Sequence, residues 1–361
     1  MTVTAGENIQ PDDRYSRQEA VQGWDQSSVR DGKVILVGVG ALGCVVGTNL
    51  AQAGVGHLLL VDMDTIEFSN LNRQLLFRES DVGRMKAEVA RERLLDLNSA
   101  ITVEVWTKRV QELPLSSLQP ASPGGRVVVV DGLDNFEGRR WVNSAIVHQN
   151  VPLVSAGMFA HLGNVQVVLP GKTPCLECQP LIPERELQKA CTPVGDFRRG
   201  EGHGEEEEVV ELEDVVEEYF PALGSVASVV GGIQSQEALK LLQSFPEDKL
   251  LTDYLFVDLE VGSFLRVPLG RREDCVVCSP KYKLGGVPFP FDPEEDVSVF
   301  RGRVALQFNL PEHDLELMAR ASSLPTTDAL MGSVVSGESP KVYVIAPQLP
   351  SPVKLTLVSP S

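Results

Sequence analysis

Residues 33–62 constrain this chain more than any other stretch. A short apolar run, KVILV at 33–37, leads into Gly38-Val39-Gly40-Ala41-Leu42-Gly43. A helical pattern continues through Ala53, and a second apolar run, GHLLLVDMD, reaches an acid at Asp62. Strand, glycine turn, helix, strand and acid in that order open a doubly wound α/β nucleotide-binding fold of Rossmann-like type. Asp62 stands 24 residues after Gly38, where a dehydrogenase places its ribose-binding acid, so the motif alone reads as an NAD site.

The residues beyond Asp62 argue against NAD. Asp64, then Ser69-Asn70-Leu71-Asn72-Arg73-Gln74, then Lys86 bring cationic groups close behind the second strand. A pyrophosphate at a helix N-terminus needs few added charges. A triphosphate cleaved between its α and β phosphates needs Arg, Lys and a metal ion. Asp131 and Asp134, in VVVVDGLDN, stand where strand ends line the crevice, and one of them is expected to hold Mg²⁺. For Asp134 a helix cap is the equal alternative.

The alternation predicts a helix over 82–97, strands at 102–109, 126–131, 151–155 and 164–169, and a helix near 138–149. Beyond 170 the pattern breaks. Residues 201–218 carry ten acids and no Lys or Arg, which reads as a solvated segment. A helix resumes over 222–243 and two strands over 254–268. No repeats or heptads are visible.

Lys+Arg 32 against Asp+Glu 50 gives a net charge of −18. That disfavours nucleic acid and anionic membrane as partners, because both select a cationic face. No apolar run reaches the roughly 18–20 residues of a membrane span. The first residues show no basic region followed by an apolar one, so a cytoplasmic location with reduced thiols is expected. In that setting Cys175-x-x-Cys178 and Cys275-x-x-Cys278 read as one four-thiolate structural Zn²⁺ site, with a redox dithiol as the rival. Prolines near both pairs (Pro174, Pro180, Pro280) favour metal-binding knuckles.

GVGALG, VDMDTIEFSNLNRQLLF, GRMK, DGLDN and the two C-x-x-C pairs, in this order, resemble the ubiquitin-activating-enzyme superfamily over about residues 14–280. Its members adenylate the C-terminal glycine of a ubiquitin-like or sulfur-carrier protein. The resemblance implies an adenylation fold that binds ATP and Mg²⁺, with a peripheral zinc. Carried over by position, Gly40, Ala41 and Gly43 touch the phosphates through backbone N–H groups. Asp62 holds the ribose, Asn70, Arg73 and Lys86 the phosphates, and Asp134 the magnesium, with Asn135 nearby. Arg14-Tyr15-Ser16-Arg17-Gln18 is similar to the family's N-terminal arm, which places Arg17 in the partner subunit's site and implies a homodimer. Ala41 departs from the family's usual third glycine, and a methyl there is tolerable if φ is negative.

Two cysteines stand alone. Cys44, inside the first helix, reads as a small buried hydrophobe. Cys191, in Lys189-Ala190-Cys191-Thr192-Pro193, resembles the thioester-forming nucleophile of members that pass a modifier on. Lys189, Arg198 and Arg199 favour its thiolate.

The resulting expectation is an arm at 1–30, an adenylation domain at 31–286 with a catalytic-cysteine and acidic crossover at about 180–222, and a C-terminal module at 287–361. The module is read as strands at Val297–Phe300 and Val304–Phe308, a helix at Pro311–Ala321, and strands at Lys341–Ala346 and Val353–Val358. That succession fits a small α+β fold of β-grasp type that docks a conjugating enzyme, with a structural cap as its alternative. The function expected is activation of a ubiquitin-like modifier with a C-terminal diglycine. It proceeds by adenylation, thioester formation on Cys191 and transfer to a conjugating enzyme. The alternative is a sulfur-carrier adenylyltransferase for molybdopterin, thiamine or thiolation pathways. A regulatory scaffold is disfavoured because Arg17, Arg73, Lys86 and Asp134 are all present.

Overall fold

The computed structural model describes residues 14–178, 221–273, 275, 277–279, 287–308, 310–319, 322–325, 329–335, 340–346 and 353–358. Cys191, its flanking cations and the acidic run at 201–218 lie outside the described residues.

Two short helices, α1 (Ser16–Glu19) and α2 (Gln26–Arg30), precede the sheet. Asp25 caps α2 by accepting from Ser27 N and Ser28 N. The first βαβ unit is β1 (Lys33–Val37), α3 (Ala41–Ala53) and β2 (His57–Val61). Next along the chain come α4 (Lys86–Leu97), β3 (Thr102–Trp106), β4 (Val127–Asp131), α5 (Phe136–Gln149), β5 (Leu153–Phe159) and β6 (Leu162–Val168). A long helix, α6 (Gly224–Leu242), leads to β7 (Tyr254–Asp258) and β8 (Ser263–Val267).

The eight strands run in the order β3-β2-β1-β4-β5-β6-β7-β8. The first five are parallel neighbours and the last three antiparallel. Buried residues of α3, α4 and α6 cover one face of the sheet. Trp141, Val142, Ala145 and Ile146 of α5 cover the other with Val110, Leu113 and Leu118. Helices on both faces of a largely parallel sheet are the doubly wound arrangement that the sequence predicts. Strands buried on both faces explain runs such as VVVV at 127–130, which show no polar alternation. The predicted helix over 82–97 begins only at Lys86, since Met85 is its extended N-terminal flank.

Glycines set how closely α3 meets the sheet. Gly38 turns the chain at φ +88, a left-handed conformation that side chains rarely adopt. A Cβ on Gly43 would stand 2.0 Å from the Gly38 carbonyl oxygen. Ala41 is the first residue of α3, so its methyl sits on helical backbone and needs no glycine. Cys44 is fully buried, its thiol pushed up to about 12 by burial, which fits a packing role.

The tail departs from expectation. Val297–Phe308 is one helix, α7, in place of the two strands expected at Val297–Phe300 and Val304–Phe308. Its buried residues are Val297, Phe300, Val304 and Ala305, spaced by three, four and one, which is a helical face. The helix expected at Pro311–Ala321 is instead a 3-10 turn at Glu312–Asp314 followed by β10 (Glu316–Ala319). Leu317 and Ala319 point inward there while β12 (Lys341–Ile345) pairs alongside. With β9 (Val287–Pro290), β11 (Ser322–Ser323) and β13 (Val353–Val358) these strands form a second sheet, ordered β11-β10-β12-β13-β9, with β9 and β13 parallel. Phe289, Phe300, Leu317, Val342 and Leu355 lie in its own buried cluster.

Gly43→Ala is expected to destabilise the protein by about 1–3 kcal/mol, since backbone must move to admit the methyl. Gly232→Ala, on α6 with nothing within 4 Å of its Cβ position, should match or slightly exceed wild type. Denaturant midpoints of the two variants check this.

Candidate functional site

The C-terminal ends of β1, β2 and β4 meet at the Gly38–Gly43 turn, where Gly38 N donates to Val61 O and Gly132 N to Val37 O, the edge at which a doubly wound sheet opens its ligand crevice. Gly40 is the N-terminal flank of α3 and has no side-chain cap, which leaves the helix's first N–H groups available to an anion. Among the described residues beyond its chain neighbours, only Gln74 Nε2, at 3.9 Å, lies within 4 Å of a Cβ built on Gly40. A nucleotide's phosphates can therefore approach this backbone closely.

Asp62, just past β2, accepts from Val39 N at 2.7 Å through one oxygen and from Asp64 N at 2.9 Å through the other. Each oxygen retains a lone pair for a ribose hydroxyl. Burial raises the Asp62 pKa above the ordinary aspartate range, and the nearby Lys86 ammonium opposes that shift. Lys86, the first residue of α4, is buried and ion-paired with Asp64 Oδ2 at 2.9 Å. Asn70 is buried too, but its side-chain oxygen accepts from Glu67 N at 3.1 Å and closes a 3-10 turn. Its first task is to shape the loop. Arg73 donates to Ser69 O at 2.8 Å and to Asn72 Oδ1 at 2.9 Å. Asp81 ties this loop to α4 by accepting from Arg93 at 3.0 and 3.1 Å.

Across the crevice, the two aspartates separate. Asp131 is fully buried; it accepts from Leu133 N and from Ser155 Oγ at 2.9 Å, with Arg139 at 3.7 Å. Its carboxylate is consumed by the fold. Asp134 is exposed, and the cap of α5 is its neighbour Asn135, whose side chain accepts from Gly138 N at 2.8 Å. That leaves the Asp134 carboxylate open to a cation and gives Asn135 a structural duty. The loop is seated on the turn, since Gly132 and Leu133 backbone atoms lie 3.0–3.2 Å from a Cβ built on Gly38. Arg139 steadies it by donating to Leu133 O and Ala156 O, and Gln234 of α6 donates to Asp131 O at 2.7 Å. Arg139 and Gln234 carry no signal in the sequence, because only the fold brings α5 and α6 to this loop.

Arg17 is exposed on α1. The arm is anchored around it: Arg14 donates to Leu97 O at 2.9 Å and Asn98 Nδ2 to Tyr15 Oη at 2.8 Å.

Cys175, Cys178, Cys275 and Cys278 converge and are buried, with all four Sγ atoms within 4.8 Å of one another. Separations of 3.9, 3.6 and 3.3 Å bracket the edge of roughly 3.8 Å that a tetrahedron with Zn–S bonds of about 2.3 Å requires. The donor set therefore fits zinc. Arg271 donates to Cys278 O and Gly171 O, tying the second knuckle to the first.

A sequence model described as the ThiF family matches residues 15–277, and the chain belongs to that family, within the ubiquitin-activating-enzyme superfamily. Adenylyltransferase and sulfurtransferase MOCS3 of Culex quinquefasciatus is 33% identical over 274 residues, which cover 74% of this chain and 55% of that protein. The present chain thus spans little more than half of that relative. Sulfur carrier protein adenylyltransferase of Thermus thermophilus is 33% identical over 276 residues, covering 74% of this chain and 90% of its own. Among solved structures, E. coli MccB with succinimide superposes with a TM-score of 0.59 at 26% identity over 75% of each chain. Among the described residues no helix is long and apolar enough to cross a membrane.

One zinc per chain is expected in freshly purified, reduced protein. Cys278→Ser should remove it and lower the thermal midpoint far more than it lowers nucleotide affinity, because the metal joins segments 100 residues apart and its ligands are not among the residues assigned to the nucleotide. Metal analysis paired with a melting curve tests both halves.

Proposed function

We propose that this chain adenylates the C-terminal carboxylate of a small sulfur-carrier protein ending in Gly-Gly. The observation that carries the reading is the uncapped turn at Gly40 with Asp62 and Lys86 behind it and an open Asp134 across the crevice. Family membership supports it, as do relatives named as adenylyltransferases over three quarters of the chain. These relatives favour the sulfur-carrier alternative over the expected modifier-activating enzyme.

In the proposed reaction a carboxylate oxygen bonds to the α-phosphorus while the bond to the pyrophosphate oxygen breaks, so pyrophosphate leaves and no proton is needed. Asp62 orients the ribose through its remaining lone pairs. The α3 N-terminus, Arg73 and Lys86 meet charge on the phosphates as it shifts toward pyrophosphate. For this, Lys86 exchanges Asp64 for phosphate, and Arg73 exchanges its local carbonyl contacts. Asp134 would hold Mg²⁺, which would supply further neutralisation of phosphate charge. Arg17 completes the site of a second copy in a homodimer.

ATP–pyrophosphate exchange that depends on a Gly-Gly-ended ubiquitin-fold protein of the same genome tests this. Lys86→Ala, Arg73→Ala and Asp134→Ala should each lower exchange by about 10²–10³. Mixing Arg17→Ala with Lys86→Ala protein should restore part of it through hybrid dimers. Absence of exchange with every such carrier removes the proposal. A thiol-labile adduct on Cys191, seen on a non-reducing gel, would return the function to modifier activation.

Asp62 also makes nucleotide binding pH-dependent. Its protonation removes a ribose acceptor, and its raised pKa brings that loss to a higher pH than an exposed aspartate would. ATP affinity should weaken on acidification already above the usual aspartate range. Asp62→Asn should bind ATP weakly with that part of the pH dependence gone, as titration calorimetry across pH can read.

A further inference from the structure

Gln74 directly follows Arg73 and has no role in the site described so far. Only 4% of it is exposed, and its buried Oε1 has no hydrogen-bond partner among the described residues. Among the described residues beyond the chain neighbours of Gly40, its Nε2 is the one atom within 4 Å of a Cβ built there. Its backbone is fixed from both sides, with Gln74 N donating to Asn70 O and Phe77 N donating to Gln74 O. The side chain is thus held in place by packing while its amide lacks the protein partners that buried amides normally find. The amide also points the appropriate way. Its donor end, Nε2, lies beside Gly40 at the start of α3, and the oxygen, which would repel a phosphate, is buried from solvent.

The neighbouring cations differ from it. Arg73 is engaged by Ser69 O and Asn72, and Lys86 by Asp64. Both must exchange partners before meeting a phosphate. The Gln74 amide needs no exchange.

We infer that Gln74 is a phosphate-binding residue of this site, donating from Nε2 to a nucleotide phosphate oxygen seated over Gly40. The inference rests on the adenylation reading and adds to it a neutral donor that a carboxylate of the same shape cannot replace. Because the contact is to phosphate alone, it separates ATP from adenosine.

The test is calorimetric titration of the full chain with ATP and with adenosine, both with Mg²⁺, for wild type, Gln74→Glu and Gln74→Met. Gln74→Glu places a carboxylate against the phosphates and should weaken ATP binding about 10–100-fold, leaving adenosine within about twofold. Gln74→Met keeps the packing and removes the donor. It should retain the wild-type melting temperature and adenosine affinity while losing about tenfold for ATP. Wild-type ATP affinity in Gln74→Glu overturns the inference, and so does equal loss for ATP and adenosine, which would mark a merely structural glutamine. Failure of the wild-type chain itself to bind ATP overturns the adenylation reading, and this inference with it.

Discussion

The Gly38 carbonyl packed against Gly43 is the contact on which the site depends. It draws the first turn of α3 onto the end of β1, so that the helix N-terminus opens into the crevice at the C-terminal ends of the parallel strands. The β4–α5 loop then rests on Gly38 from the other side. One tight turn thereby sets both walls, Asp62 with Lys86 on one and Asp134 on the other. A methyl at Gly43 would have to displace main chain, and the displacement would pass to every group around the nucleotide.

Charge is managed locally in this strongly acidic chain. Lys86 is buried and ion-paired with Asp64, while Arg73 is satisfied by carbonyl and amide oxygens of its own loop. These contacts hold the cations near their place without committing them. Asp64 is more than half exposed, so water screens its pull on Lys86, and exchange for a phosphate costs little. The buried Asp131 is different: it is bound by Ser155, the Leu133 backbone and Arg139, and it serves geometry alone. Two aspartates three residues apart take opposite roles because one faces the core and the other faces solvent.

The four-cysteine cluster joins chain segments 100 residues apart in the same structure. Each knuckle has a local turn, Cys178 N to Cys175 O and Ser279 N to Cys275 O, yet neither pair alone completes a tetrahedron. The sulfur positions come from β6, which delivers the first pair, and from the strands β7 and β8, which return the chain for the second. A metal there acts on folding, and none of its four ligands is a residue assigned to the nucleotide, which is why its removal should spare nucleotide affinity.

The opening βαβ unit and the four-cysteine set are legible in the sequence because their signals are local: a strand period, a glycine turn, ligand spacing. Gly40, Asp62, Arg73 and Lys86 come from the same short span of chain. The tail is misread where local signals conflict. Val297–Phe300 and Val304–Phe308 look like two β-rich runs, but the face that they bury is helical, and only the second sheet supplies that face with a partner. Whether Asp134 caps α5 or stays open to a cation is undecided in the sequence; in the fold Asn135 takes the cap by accepting from Gly138 N. Gln74 carries no signal beyond standing next to Arg73. Its burial against Gly40 joins residues 34 positions apart, and it arises only when the β2–α4 loop is folded back over the turn, held there by Asp81 and Arg93. The sequence alone determined the fold class and the four-cysteine set, and it nominated candidates for the nucleotide site. Which of them are free to act was decided by tertiary packing, because burial and hydrogen bonding, rather than residue type, set whether a side chain is already spent.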